Sequence, residues 1–181
     1  MKQTVRIIGG RYRGKKISFP DIEGLRPTSD RVKETLFNWL MHDIRGARCL
    51  DAFAGSGALG LEAYSRGADR VVLVESSPKV YSNLKQIVAT FDSSTLTVVQ
   101  CDAQEYILES PECFDIIFLD PPFAKNYLPR CLDILSRSNL LASGGLVYIE
   151  SPDKLQLDPV FWNEKKSKQA GQVIYGLYEK N

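Results

Sequence analysis

Apolar and polar positions alternate along this chain with two different periods, and the switches between them mark its elements. Residues 28–41 place Val32, Leu36, Trp39 and Leu40 at i, i+4, i+7 and i+8, the stripe of an amphipathic helix. Pro27 sits just ahead of it, and Thr28, Ser29 or Asp30 can cap it. From residue 47 short β-branched or apolar runs alternate with segments of helical period. Strands are expected at 49–53, 70–74, 96–99, 114–119 and 146–150. Helices are expected from the glycine loop of 55–60 to near Gly67, over 78–91, after Asp102, and over 127–138. In the second of these Pro78 suits the first helical position, and Val80, Leu84, Ile87, Val88 and Phe91 share a face. The run 114–119 is the most apolar, as befits a central strand buried on both faces. Ser143-Gly144-Gly145 reads as a turn before the strand at 146–150.

The two ends of the chain follow another pattern. Residues 5–19 read as two short strands around Gly9-Gly10 or Arg13-Gly14, followed by a loop over 21–27. Residues 165–178 read as a hairpin turning near Ala170-Gly171, with Val173, Tyr175 and Leu177 alternating along its second strand. The whole is an α/β chain: an open, mostly parallel sheet with helices on both faces, a C-terminal antiparallel hairpin and a small N-terminal β-hairpin extension. The extension is assigned to 1–25 and the main domain to 26–181. In folds of this type ligands bind outside the carboxyl ends of the strands, which directs attention to the residues there.

Charge changes the picture more than composition does. Residues 1–48 carry 11 Lys and Arg against 5 Asp and Glu, whereas residues 49–181 carry 12 against 17. A formal net charge of +1 therefore hides a basic N-terminal end. Arg6, Arg11, Arg13, Lys15, Lys16 and Arg26 are interleaved with Ile7, Ile8, Tyr12, Ile17 and Phe19, the pattern of an ordered basic hairpin that meets a polyanion. The four cysteines form no CxxC pair and are expected as buried thiols of a reducing compartment. With His42 as the lone histidine, a zinc site or a histidine-based triad is not expected. No apolar run approaches the roughly 20 residues that span a bilayer, and no secretory signal opens the chain. A cytoplasmic monomer without a membrane partner is expected.

Four strand ends carry candidate chemistry. Asp51 leads into Phe53, Ala54, Gly55, Ser56 and Gly57; Glu75 and Ser76 end the next strand; Asp102 and Ala103 follow the third; Asp120 follows the fourth. Gly55, Gly57 and Gly60 fit GxGxxG with Glu75 twenty residues beyond Gly55, so the glycines alone suit NAD as well as S-adenosylmethionine. Asp51 disfavours an anionic pyrophosphate on that loop and suits a sulfonium and an ammonium. Glu75 can accept two ribose hydroxyls, and Asp102 with the Ala103 N–H can read adenine.

Asp120-Pro121-Pro122-Phe123 is the most specific signal. Two prolines fix the backbone and remove two N–H donors. The Asp120 carboxylate and the Pro121 carbonyl can then hold an exocyclic amine with its lone pair aimed at a methyl donor. Phe123 can stack on a base that is single-stranded or flipped out.

The acidic-x-F-x-G-x-G loop followed by DPPF resembles the amino-methyltransferases of nucleic acids. Arg6 to Gly10, Arg26 to Asn38, Leu50 to Leu61 and Phe118 to Phe123 narrow the resemblance to the bacterial 16S ribosomal RNA guanine-966 N2-methyltransferases, over essentially the whole chain. The resemblance implies a class I methyltransferase (Rossmann-like) fold acting on the small ribosomal subunit. It assigns Asp51, Gly55 and Gly57 to the methionine end of S-adenosylmethionine. Glu75 would take its ribose, Asp102 and Ala103 its adenine, and Asp120 to Phe123 the target guanine. Rival readings are a DNA or RNA adenine or cytosine amino-methyltransferase, an NAD-dependent oxidoreductase, and a non-catalytic RNA-binding factor of ribosome assembly.

Overall fold

The computed structural model describes residues 2–91 and 93–181. A hairpin of β1 (Lys2–Arg6) and β2 (Lys16–Pro20) stands apart from a seven-stranded sheet in the order β5-β4-β3-β6-β7-β9-β8. In that sheet β3 (Arg48–Asp51), β4 (Arg70–Glu75), β5 (Leu96–Gln100), β6 (Phe114–Leu119) and β7 (Leu141–Ser151) are parallel. The C-terminal pair β8 (Trp162–Ala170) and β9 (Val173–Lys180) adds antiparallel strands, and β9 lies between β7 and the edge. The edge strand β8 is mostly exposed and carries Lys165, Lys166 and Lys168, charges that discourage pairing with another sheet.

The strands are buried on both faces because their side chains alternate between two cores. Cys49, Val71, Leu73, Ile116, Phe118 and Tyr148 face one core, with α1 (Asp30–Trp39), α2 (Ala58–Ser65) and α3 (Pro78–Ala89). Leu50, Val72, Val74, Ile117, Leu119 and Ile149 face the other, with α4 (Ala103–Glu109) and α5 (Leu128–Arg137). This is the expected doubly wound α/β architecture. Of the three candidate caps, Ser29 closes α1 by accepting from the Val32 N–H. Thr28 is used elsewhere, as described below.

Several details depart from the sequence reading. The two N-terminal strands are joined by a long loop, residues 7–15, which contains both Gly9-Gly10 and Arg13-Gly14. That loop has its own turns, Arg13 N–H to the Gly10 carbonyl and Lys15 N–H to the Tyr12 carbonyl, and is also held by α2. The Glu62 carboxylate, fully buried, accepts from the Ile8 and Gly9 N–H groups, each at 3.0 Å, and pairs with Lys33 at 3.3 Å and Arg66 at 3.0 Å. Lys33 is itself buried and donates to the Arg6 carbonyl at 2.6 Å. Ile7 and Ile17 belong to the first core. Ser143-Gly144-Gly145 is no turn before a strand but part of β7: Leu141 pairs with Phe114 and Leu146 with Ile116, so β7 bulges by three residues there. The thiols are not uniformly buried. Cys49 and Cys131 are, but Cys101 is half-buried and Cys113 exposed, because Cys113 lies in the loop between α4 and β6. Helix α1 ends at Trp39, so His42 lies in the turn beyond it.

Candidate active site

The chain leaves β3 toward β4 and β5 on one side and returns to place β6 and β7 on the other. The strand order therefore reverses between β3 and β6, which opens a crevice at their carboxyl ends. Carboxylates line it. Asp51 ends β3, Glu75 ends β4, Asp102 follows β5, Asp120 follows β6, and Glu150 lies near the end of β7. The register makes them neighbours: Asp51 is level with Phe118, Phe118 with Tyr148, and Glu75 with Gln100. Asp51 and Asp120, which the strand-end rule expects to border one cleft, stand at one crevice.

Asp51 is buried beneath the glycine loop. Its Oδ2 accepts from the Gly60 N–H at 2.9 Å, in the first turn of α2. Its Oδ1 is buried without a hydrogen-bond partner, alone in this among the described side chains. Burial pushes the carboxyl up to about 7, against the Gly60 hydrogen bond and the nearby Phe53 N–H, which lies outside hydrogen-bonding geometry with Oδ1, and with added repulsion from Glu75 and Glu150. Gly60 is required by packing. A Cβ there would collide with Leu73 Cδ2 and stand 3.2 Å from Asp51 Cβ. Gly55 has φ +53°, a left-handed conformation that favours glycine, and its N–H donates to Glu75 Oε2 at 3.0 Å.

Glu75 ties the glycine loop to the next turn, since its Oε1 accepts from the Ser77 N–H at 2.9 Å. Each oxygen keeps a lone pair for a ligand. Asp102 has a structural duty as well: its Oδ1 caps α4 by accepting from Gln104 and Glu105, which leaves Oδ2. Ala103 is buried and opens that helix, and Ser76 is exposed beside Glu75. Phe53 is half-buried and packs on Tyr127, ring centroids 5.3 Å apart, while Ala54 and Ser56 are buried within the loop.

Across the crevice Asp120 is half-buried, Pro121 buried and Pro122 exposed. Phe123 is 45% exposed, a free aromatic face at the mouth. Asp120 has partners that the sequence did not single out. Tyr148, fully buried, donates to Glu150 Oε1 at 2.7 Å, and the Thr28 hydroxyl donates to the same oxygen at 3.2 Å. The enclosed Asp120 carboxyl is held well above the usual carboxylate range by burial, then by the negative charge of Glu150 and Asp51. Burial also raises Glu150, against hydrogen bonds from Tyr148 and Thr28. Glu150 sits on an apolar strand like any other and became visible only once β6 and β7 were paired.

The segment 21–29 touches both sides of the crevice. Leu25 Cδ1 lies 2.8 Å from the place a Cβ on Gly55 would take, and Thr28 reaches Glu150. Arg26, between them, is exposed. Of the other basic residues, Arg13 and Lys16 are exposed, Arg11 stacks over Tyr12 and Tyr64, and Lys15 over Phe91. None of these five has an acidic partner among the described residues, whereas Arg6 pairs with Asp30 at 3.0 Å. Among the described residues no cluster of three His, Cys, Asp or Glu side chains is placed to hold a metal ion, and no helix is long and apolar enough to cross a membrane.

The family described as conserved hypothetical protein 95 matches residues 5–179. Ribosomal RNA small subunit methyltransferase D of Escherichia coli K12 is 44% identical over 178 residues, covering 97% of this chain and 90% of that protein. The Haemophilus influenzae protein of the same name is 43% identical over 184 residues, covering 98% and 95%. Among solved structures, the Escherichia coli protein yhhF, described as a candidate methyltransferase, superposes with a TM-score of 0.92 at 43% identity over 99% of each chain.

Proposed function

Because the chain belongs to the family described as conserved hypothetical protein 95, among whose named relatives are ribosomal RNA small subunit methyltransferases, we propose that it methylates a guanine N2 in small-subunit ribosomal RNA with S-adenosylmethionine. The observation that carries this reading is a juxtaposition. A buried carboxylate oxygen without a partner, Asp51 Oδ1, stands in the same crevice as the Asp120-Pro121-Pro122-Phe123 turn. An anionic cofactor would add its charge to a crevice already lined by acids; a cationic one relieves their repulsion. S-adenosylmethionine supplies a methyl carbon made electrophilic by a sulfonium.

The chain's residues divide the work. Asp51 Oδ1 takes the cofactor's cationic end, directly or through water, beside Phe53, Ala54, Gly55, Ser56 and Gly57. Glu75 and Ser76 hold the ribose, and Asp102 Oδ2 with the Ala103 N–H holds the adenine. Asp120 and the Pro121 carbonyl accept from the two N–H groups of the target amine. These contacts favour a pyramidal nitrogen, whose lone pair is otherwise delocalised into the base. Pro122 keeps the turn rigid and Phe123 stacks on the base. Arg6, Arg11, Arg13, Lys15, Lys16 and Arg26 meet phosphates. The choice of guanine N2, at position 966, follows the family resemblance.

Labelled methyl incorporation tests the reading. Small subunits from cells lacking the protein should accept the label at N2-methylguanine, and DNA should not. Asp120→Ala should lose activity by on the order of 100-fold or more while keeping cofactor affinity by calorimetry. Label entering DNA, or wild-type turnover by that variant, would refute it.

A further inference from the structure

Glu150 is an acid that the roles above leave unused. It lies on β7 level with Asp120 on β6, because the parallel register aligns Phe118 with Tyr148 and Leu119 with Ile149. Its Oε1 accepts from both Tyr148 and Thr28, which leaves Oε2 without a donor from either. The strand register sets Asp120 beside Glu150, close enough for one carboxyl to donate to the other once either is protonated. Two neighbouring carboxyl groups, Glu150 buried and Asp120 half-buried, cannot both ionise cheaply, and one proton held between them relieves the repulsion.

We propose that Glu150 is the proton-holding partner of Asp120, so that the two carboxyls act as one base that takes up the proton lost by the target amine. This inference rests on the amino-methylation reading above. Transfer forms one N–C bond, the electron pair of the broken C–S bond stays on sulfur, and the amine nitrogen is left with one proton too many. Asp120 faces that nitrogen. It accepts the proton as the N–H bond breaks, and the pair passes from one proton and one negative charge to two protons and none. Return to water then resets it. A lone carboxylate at Asp120 would be a weak base for this step; a pair that already repels its own charge is a stronger one.

The groups facing the pair account for the arrangement. Asp51 adds negative charge from β3; Tyr148 donates from β7; Thr28 donates from the segment before α1; Tyr175 on β9 is level with Glu150 and lies against Tyr148. No cation is among them, so the proton itself neutralises the pair. Glu150 acts through Asp120 and is a positioning residue.

Glu150→Gln separates this role from a scaffolding one. The amide oxygen still accepts from Tyr148 and Thr28, but the side chain holds no exchangeable charge. With 13C-labelled aspartate, the Asp120 carboxyl should titrate at distinctly lower pH in the variant than in the wild type, without substrate or cofactor present. Its kcat on small subunits should fall by about tenfold or more, with KM for S-adenosylmethionine within about twofold. Glu150→Asp should recover part of the rate. Thr28→Val, which loosens the 21–29 segment but spares the pair, should leave the Asp120 titration high. An unmoved Asp120 titration in Glu150→Gln, with methylation by the wild type intact, overturns the inference. A moved titration with no amino-methylation of any substrate by the wild type overturns the parent reading, and with it the amine as proton source.

Discussion

At the scale of single residues three of the crevice's acids, Asp51, Asp120 and Glu150, are carboxyls held against their preference to ionise. Asp51 is the clearest case, with one oxygen bonded to Gly60 and the other buried bare. Its carboxyl titrates near 7 in the folded chain and at 3.8 when free of the fold. As pH rises, the unfolded chain therefore loses the proton first. The stability Asp51 contributes is complete below about 4 and is lost by about 7, on the order of a few kcal/mol. Asp51→Asn should be free of this loss. Its melting temperature relative to wild type should rise steadily between those pH values; a difference constant with pH would show that Asp51 is not held neutral. Asp51 and Asp120 were legible in the sequence because each ends an apolar strand beside a glycine or proline signature. Glu150, Tyr148 and Thr28 were not: their significance depends on which strand lies next to which, and no local pattern carries that. Lys33 and Glu62 were hidden for a related reason, since a charged residue on a helix reads as solvated until its partner is known.

Among the elements, the alternation of strands and helices was the most legible feature, because short β-branched or apolar runs contrast in length and composition with the longer segments of helical period. What failed was local. The bulge in β7 was read as a turn, since Gly144-Gly145 signals a break in either case, and only the pairing with β6 shows the chain continuing through it. The N-terminal hairpin was read correctly as two strands, but its attachment was invisible. That attachment is a charged rivet: Glu62 on α2 accepts two backbone N–H groups from the hairpin loop and pairs with Lys33 and Arg66. Removing the acid strands a buried ammonium and two backbone donors. Glu62→Ala should cost on the order of 3–5 kcal/mol in urea unfolding and open the loop at 7–15 to trypsin. A variant as stable and as protease-resistant as wild type would show that the hairpin is held by its apolar residues alone.

For the whole molecule the charge split read from the sequence has a spatial meaning. Lys2, Arg6, Arg11, Arg13, Lys15 and Lys16 lie on the hairpin and its loop, whereas Asp51, Glu75, Asp102, Asp120 and Glu150 lie at the carboxyl edge of the sheet. Reversing Arg11, Arg13 and Lys15 to glutamate should weaken binding to small-subunit RNA and flatten its salt dependence by about two to three contacts' worth of slope. An unchanged slope would remove the loop from the interface. The fold could be inferred from order and period; the location of the basic face relative to the crevice could not, because it depends on where the hairpin docks. The acid-lined mouth has one more consequence for a nucleotide that approaches it. A nucleotide has an anionic half and an uncharged half, and the strand-end carboxylates repel the first while tolerating the second. On the proposed reading the crevice would filter by polarity before any hydrogen bond is made: the sugar-phosphate thread would stay outside, and only the flat heterocycle would go in.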